Sequence, residues 1–181
     1  VKFEQPNWPR QLPPSTVLNV ATLGPIGERL PAPGTWGSAA GVVFFFVCFT
    51  QLGLIEFVVI GAAMAYLAVG ICGQAEIQME TRDPKEVIFD EFVSMPLCFF
   101  GWRMITGTEP LAFLGLMLAG FLLFRMFDIW KPLVIDKLQA LPGGWGIVLD
   151  DTAAALATCL TLHIAHAVWM LAHHPAGPVS P

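Results

Sequence analysis

The sequence predicts an all-α, polytopic membrane bundle of about four to five hydrophobic helices, and three observations predict it. Hydrophobic residues make up 55% of the 181 residues and charged residues only 13%, whereas a soluble domain carries about 25% charged residues. Mean hydropathy is +0.66. The few charges fall in short clusters separated by uncharged runs, the pattern that a bilayer core of about 30 Å selects. The net charge of -5, from 14 acids and 9 bases, offers no field to hold a polyanion, so nucleic acid is excluded as a partner and membrane lipids are expected.

The segment 1–23 carries Lys2, Glu4 and Arg10 but no apolar core of signal-peptide type, and is expected to be cytoplasmic or interfacial. Residues 24–172 read as a single membrane-embedded domain and 173–181 as a Pro-rich tail. No charge occurs between Leu30 and Ile55, and a first helix is expected from about Ser38 to Leu54, after a Pro/Gly loop. The second runs from Phe57 to Ala75, with Gly61, Ala62, Ala65 and Gly70 allowing close helix approach. Phe92 to about Thr108 contains Pro96 and Arg103 and predicts a kinked span or a re-entrant segment. Pro110 to Phe127 is the fourth span, and Thr152 to about Ala172 the fifth.

Positive residues in short loops favour the cytoplasmic side. With five crossings and the N-terminus inside, Lys2, Arg10, Arg29, Arg82, Lys85, Arg125, Lys131 and Lys137 all lie inside and Arg103 alone approaches the outside. That orientation gathers three polar segments, 24–38, 76–91 and 125–151, at one cytoplasmic interface.

Asp90 and Glu91 end the charged segment 76–91, at the mouth of an apolar run. They either favour the positive end of the next helix or act as functional acids, since carboxylates are costly near hydrocarbon. Glu76, Glu80, Asp83 and Glu86 read as a solvated loop. Arg125, Asp128 and Lys131 recur every three residues at the end of an apolar helix and share a face. Asp128 either neutralises two interfacial bases or ligates a metal while Arg125 and Lys131 bind phosphate.

In Gly143-Gly144-Trp145-Gly146-Ile147-Val148-Leu149-Asp150-Asp151, capping the last helix explains one aspartate. A hard divalent cation such as Mg²⁺ explains two, because it relieves their repulsion. Gly34, Thr35 and Ser38 lie in a glycine-rich loop suited to an anion, and the alternative for either hydroxyl is a simple helix cap. His163 and His166 fall at the other end and read as packed or interfacial side chains. The single cysteines Cys48, Cys72, Cys98 and Cys159 lack zinc or redox spacing and read as buried small hydrophobes.

Carboxylates, bases and a glycine-rich turn on one membrane face suit metal-assisted phosphoryl chemistry. Four motifs in order, Pro33-Gly34-Thr35-Trp36-Gly37-Ser38, Asp90-Glu91-Phe92, Phe124 to Pro132 and Gly143 to Asp151, resemble the phosphatidylglycerophosphatase A family over most of the chain. The resemblance implies an all-helical, Mg²⁺-dependent phosphatase of the bacterial inner membrane, with its active site facing the cytoplasm. Such an enzyme converts phosphatidylglycerophosphate to phosphatidylglycerol and inorganic phosphate. On this reading Asp90, Glu91, Asp128, Asp150 and Asp151 supply metal ligands and a water-activating base. Arg125 and Lys131 bind the terminal phosphate, steadied by Gly34, Thr35 and Ser38. After Lys131-Pro132 the family commonly continues with a Trp-Pro-Ile-Arg-like run, where this chain has Leu133-Val134-Ile135-Asp136-Lys137. The alternatives are a small cation transporter or channel, which needs acids midway along its helices, and a Mg²⁺-dependent phospholipid phosphotransferase.

Overall fold

Proline sets where the helices start. Pro14, Pro25, Pro33 and Pro110 each open a helix, where the missing N–H would have had no intrahelical partner. A computed structural model of the chain describes residues 4–132 and 134–173, without the side chains of 134 and 136. The helices are α1 (Pro14–Ala21), α2 (Pro25–Arg29), α3 (Pro33–Phe44), α4 (Leu54–Gln78), α5 (Phe89–Ser94), α6 (Trp102–Thr106), α7 (Pro110–Trp130), α8 (Val134–Gln139) and α9 (Gly144–His173). The described residues contain no strand.

Three helices, α4, α7 and α9, are long and apolar enough to cross a membrane. With the shorter apolar helix Pro33–Phe49, in which α3 continues through a π-helical turn, they account for four of the expected apolar segments. The remaining one, 92–108, is broken as Pro96 requires. Here α5 passes into a 3-10 turn over Met95–Phe99, Gly101 takes a left-handed conformation, and α6 follows. Outward residues such as Ile55 on α4, Leu111 on α7 and Leu171 on α9 are exposed, as a hydrocarbon solvent permits.

The last helix is central: α4 and α7 both pack on it, and α5 packs against both it and α4. It begins at Gly144, eight residues before the expected Thr152. A Cβ at Gly144 would collide with the Val69 carbonyl oxygen of α4, so glycine is kept there for close approach despite its low helix propensity. Two clusters fill the interior. One joins Val17, Ala68, Cys72, Val93 and Val148 near the charged end, and the other joins Phe45, Phe99, Leu116, Phe124 and Leu162 further along. Phe45 and Phe99 lie 4.5 Å apart between ring centroids, and Phe44 stacks on Phe92 at 4.6 Å.

The segment before residue 24 belongs to the same core. The Gln5 side chain donates to the Val69 carbonyl at 3.0 Å and accepts the Gly144 N–H at 3.0 Å, tying α4 to α9. Cys72, Cys98 and Cys159 are buried as expected, but Cys48 is exposed, because its position in the π turn faces away from the bundle. His163 Nε2 lies 2.9 Å from the Phe100 carbonyl, a packed role at the end opposite the charges. Lys2 and the tail from residue 174 lie outside the described residues.

Candidate active site

The charged ends of five segments close around one cavity of about 340 Å³. The N-terminal turn of α3 supplies Gly34 and Thr35, and α5 supplies Asp90 and Glu91. The end of α7 supplies Arg125, Asp128 and Lys131, the second turn of α9 supplies Asp150 and Asp151, and the turn before α5 adds Asp83 and Lys85. All five acids expected from the sequence line this cavity, together with both expected bases.

Their partners divide them. Arg125 Nη1 donates to Glu91 Oε1 and to Asp128 Oδ2, each at 2.8 Å, and to Ser38 Oγ at 3.3 Å. Lys131 Nζ donates to Asp150 Oδ2 at 2.6 Å. Three buried carboxylate oxygens have no hydrogen-bond partner among the described residues: Asp90 Oδ1, Glu91 Oε2 and Asp151 Oδ2. Asp90 is 6% exposed and Asp151 3% exposed, so water cannot satisfy them freely, and an unpartnered buried charge is among the costliest features a fold can carry.

Burial, reinforced by the charges of Glu91, Asp83 and Asp150, pushes the Asp90 carboxyl well above its usual range. Burial also raises Glu91 to about 7, against the lowering effect of Arg125. Lys131 is held above its ordinary value: burial pulls it down, but the bond to Asp150 and the nearby carboxylates prevail. The cavity is over-supplied with negative charge, with Asp83, Asp90, Glu91, Asp128, Asp150 and Asp151 facing Lys85, Arg125 and Lys131. A phosphate dianion would be repelled unless a cation entered with it.

Hard carboxylate oxygens, three of them unpartnered, are a donor set that fits a magnesium ion. Among the described residues, however, no group of three or more His, Cys, Asp or Glu is already arranged to hold a metal. Magnesium usually takes one or two carboxylates plus phosphate oxygens and water, so a complete protein cage is not required.

Several residues act differently from their sequence reading. The stretch from Gly34 to Ser38 is the opening of α3 rather than a loop. A Cβ at Gly34 would collide with Glu91 Oε1, and one at Gly37 would stand 2.8 Å from Glu91 Oε2. These glycines therefore make room for Glu91. Ser38 is fully buried, donates to the Gly34 carbonyl at 2.9 Å and lies behind Arg125 instead of lining the cavity. Asp150 and Asp151 cannot cap α9, because six residues of helix precede them.

Asp83, expected in a solvated loop, lines the cavity, and so does its neighbour Lys85. Asp83 takes a left-handed φ of 48° and its carboxylate accepts from Gln139 Nε2 at 2.8 Å. An Asp-Pro pair in a charged turn is the one sequence signal that marked this position. Of the run after Pro132, residue 133 and the side chains of 134 and 136 lie outside the described residues.

Apolar helices whose ends converge on buried, paired acids and bases define a membrane-embedded helical protein with one ionic site at an end of its bundle. The sequence profile of phosphatidylglycerophosphatase A matches residues 19–166. A phosphatidylglycerophosphatase A of Haemophilus influenzae is 34% identical over 142 residues, covering 78% of this chain and 82% of the relative. One of Escherichia coli K12 is 30% identical over 143 residues, covering 77% of each. No solved structure matches. The chain belongs to the phosphatidylglycerophosphatase A family and is therefore an enzyme of the phosphatase class.

Proposed function

We propose that the protein is a Mg²⁺-dependent lipid phosphatase that hydrolyses the terminal phosphomonoester of phosphatidylglycerophosphate to phosphatidylglycerol and inorganic phosphate. The observation that carries the proposal is the set of unpartnered buried oxygens on Asp90, Glu91 and Asp151 in the cavity that Arg125 and Lys131 also line. Family membership supports the choice of lipid.

On this reading Asp90, Glu91 and Asp151 hold the cation and provide the proton acceptor for the attacking water. Asp128 and Asp150 aim the two bases, through the bonds at 2.8 Å and 2.6 Å. Arg125 binds phosphate oxygens in a fork and Lys131 adds a point charge, which opposes the charge developing as the ester bond breaks. Ser38 fixes the Arg125 guanidinium from behind. Gly34 and Thr35 form the wall beside Glu91. A bound magnesium ion would neutralise phosphate charge and lower the pKa of a coordinated water. The alkoxide released by P–O cleavage takes up a proton and leaves as phosphatidylglycerol.

The cavity end carries Arg29, Arg82, Lys85, Arg125 and Lys131, while Arg103 lies at the other end, bonded to the Thr50 carbonyl at 2.9 Å. This bias supports an inner-membrane orientation with the site facing the cytoplasm. The test is phosphate release by purified protein from phosphatidylglycerophosphate in mixed micelles, after chelation and after Mg²⁺ is restored. Release that returns with Mg²⁺ is expected; no release under any divalent metal would overturn the proposal.

A further inference from the structure

Lys85 differs from the other two bases of the cavity. Arg125 is occupied by Glu91 and Asp128, and Lys131 by Asp150, whereas Lys85 forms no ion pair among the described residues. It is exposed, and it belongs to two cavities at once. One is the acidic site, and the other is an adjoining cavity of about 540 Å³. Ala32 and Pro33 complete the wall the two share. Ala32 takes a left-handed conformation with φ 53° just before Pro33 opens α3, which turns the chain between the cavities.

The second cavity has a different charge balance from the first. Arg29 and Lys85 face Glu28 and Glu86, so it suits neither a dianion nor a divalent cation. A monoanion with a hydroxyl beside it fits: the cations take the charge and a carboxylate accepts a hydrogen bond from the hydroxyl. Leu30, on its wall, is 38% exposed, and Trp36, one turn into α3, is 49% exposed. Exposed apolar and aromatic side chains of this kind sit at the headgroup level of a bilayer, where the chains of a lipid can leave the protein.

Building on the lipid-phosphatase reading above, we propose that this second cavity is a subsite for the phosphodiester that links the leaving alcohol to its lipid, with Lys85 as the principal contact and Arg29 as a second cation. A phosphodiester carries one negative charge and would stand beside the acid-rich cavity, so an interposed lysine offsets the repulsion. A lipid whose phosphomonoester sits directly on diacylglycerol places no second anion here and draws less from Lys85. The residue is therefore a determinant of selectivity.

The experiment compares kcat/KM for phosphatidylglycerophosphate and for phosphatidic acid of the same acyl chains, in mixed micelles with Mg²⁺. The ratio of the two values is expected to fall about tenfold in Lys85→Gln, a change of about 1.4 kcal/mol, and to recover in Lys85→Arg. An unchanged ratio, or an equal loss on both lipids, would overturn the subsite. Wild-type protein that releases no phosphate from phosphatidylglycerophosphate overturns the proposed function instead. The subsite is then decided by equilibrium binding of phosphatidylglycerol, which keeps the phosphodiester and lacks the monoester. Binding weakened about tenfold in Lys85→Gln supports it, and equal binding overturns it.

Discussion

Arg125 and Glu91 form the pair on which the geometry of the site depends, and a double-mutant cycle measures it. Their charged atoms are 2.8 Å apart, with side chains 19% and 12% exposed. At an effective dielectric constant of about 20 the gross attraction is about 6 kcal/mol. Desolvation of two nearly buried ions consumes much of it, and close charge pairs measured by such cycles give about 1.5–7 kcal/mol. A coupling of about 2–3 kcal/mol is expected between Arg125→Gln and Glu91→Gln. Arg125→Gln alone strands both Glu91 and Asp128 and is expected to cost about 3 kcal/mol or more. The double variant should recover most of the part that Glu91 contributes. Denaturant unfolding of the four proteins in detergent micelles, without added divalent metal, reads the coupling. Effects that add within about 0.5 kcal/mol would refute the reasoning.

Asp151→Asn should lower kcat by about 100-fold or more, yet leave metal-free stability unchanged or raised, because it removes a charge from an over-supplied cavity; turnover and unfolding measured on one preparation check both. Glu91, raised to about 7 by burial, must be ionised to hold a cation, so activity is expected to climb as pH rises through about 7 and fall below it, and Glu91→Gln, which takes away a cation ligand, should lower kcat across the whole pH range. Ser38→Ala removes the 3.3 Å bond to Arg125 and should raise KM several-fold at a stability cost of about 1 kcal/mol, with Ser38→Thr nearer to wild type. Gly34→Ala should lower activity about as much as a charge change at Glu91, since the added methyl would occupy the place of that carboxylate; activity with Glu91 intact would contradict this.

Charge gaps alone were enough to find α4, α7 and α9, because hydrocarbon admits few ions and the spans are bounded by them. The break in 92–108 was equally legible, since Pro96 removes a backbone donor wherever the chain places it. The gathering of Asp90, Arg125 and Asp151 followed from counting bases on loops, a one-dimensional signal that decides which helix ends share a face.

What stayed hidden depended on contacts distant in sequence. Gly143-Gly144-Trp145-Gly146 reads as a turn from local propensity, but close packing on Val69 turns most of it into helix and moves Asp150 and Asp151 into the second turn. Gly34 and Gly37 suggest an anion loop, and only the position of α5 reveals that the carboxylate seated there is Glu91. Asp83 joins the cavity through a bond to Gln139, which no local pattern announces. Ser38 shows the same limit: an N-terminal hydroxyl looks like a cap until Arg125, far along the chain, comes to rest on it.

The most direct measurement of the cation site is Mn²⁺ binding followed by electron paramagnetic resonance, with Mg²⁺ as competitor. One Mn²⁺ per chain is expected, displaced by Mg²⁺. Its binding should be weak alone, because the acids form no ready-made three-ligand cage, and tighter when a phosphate analogue is present. Asp151→Asn should abolish the tight class. Equal Mn²⁺ binding by wild type and Asp151→Asn, with and without the phosphate analogue, would contradict a divalent ion shared between these carboxylates and the substrate.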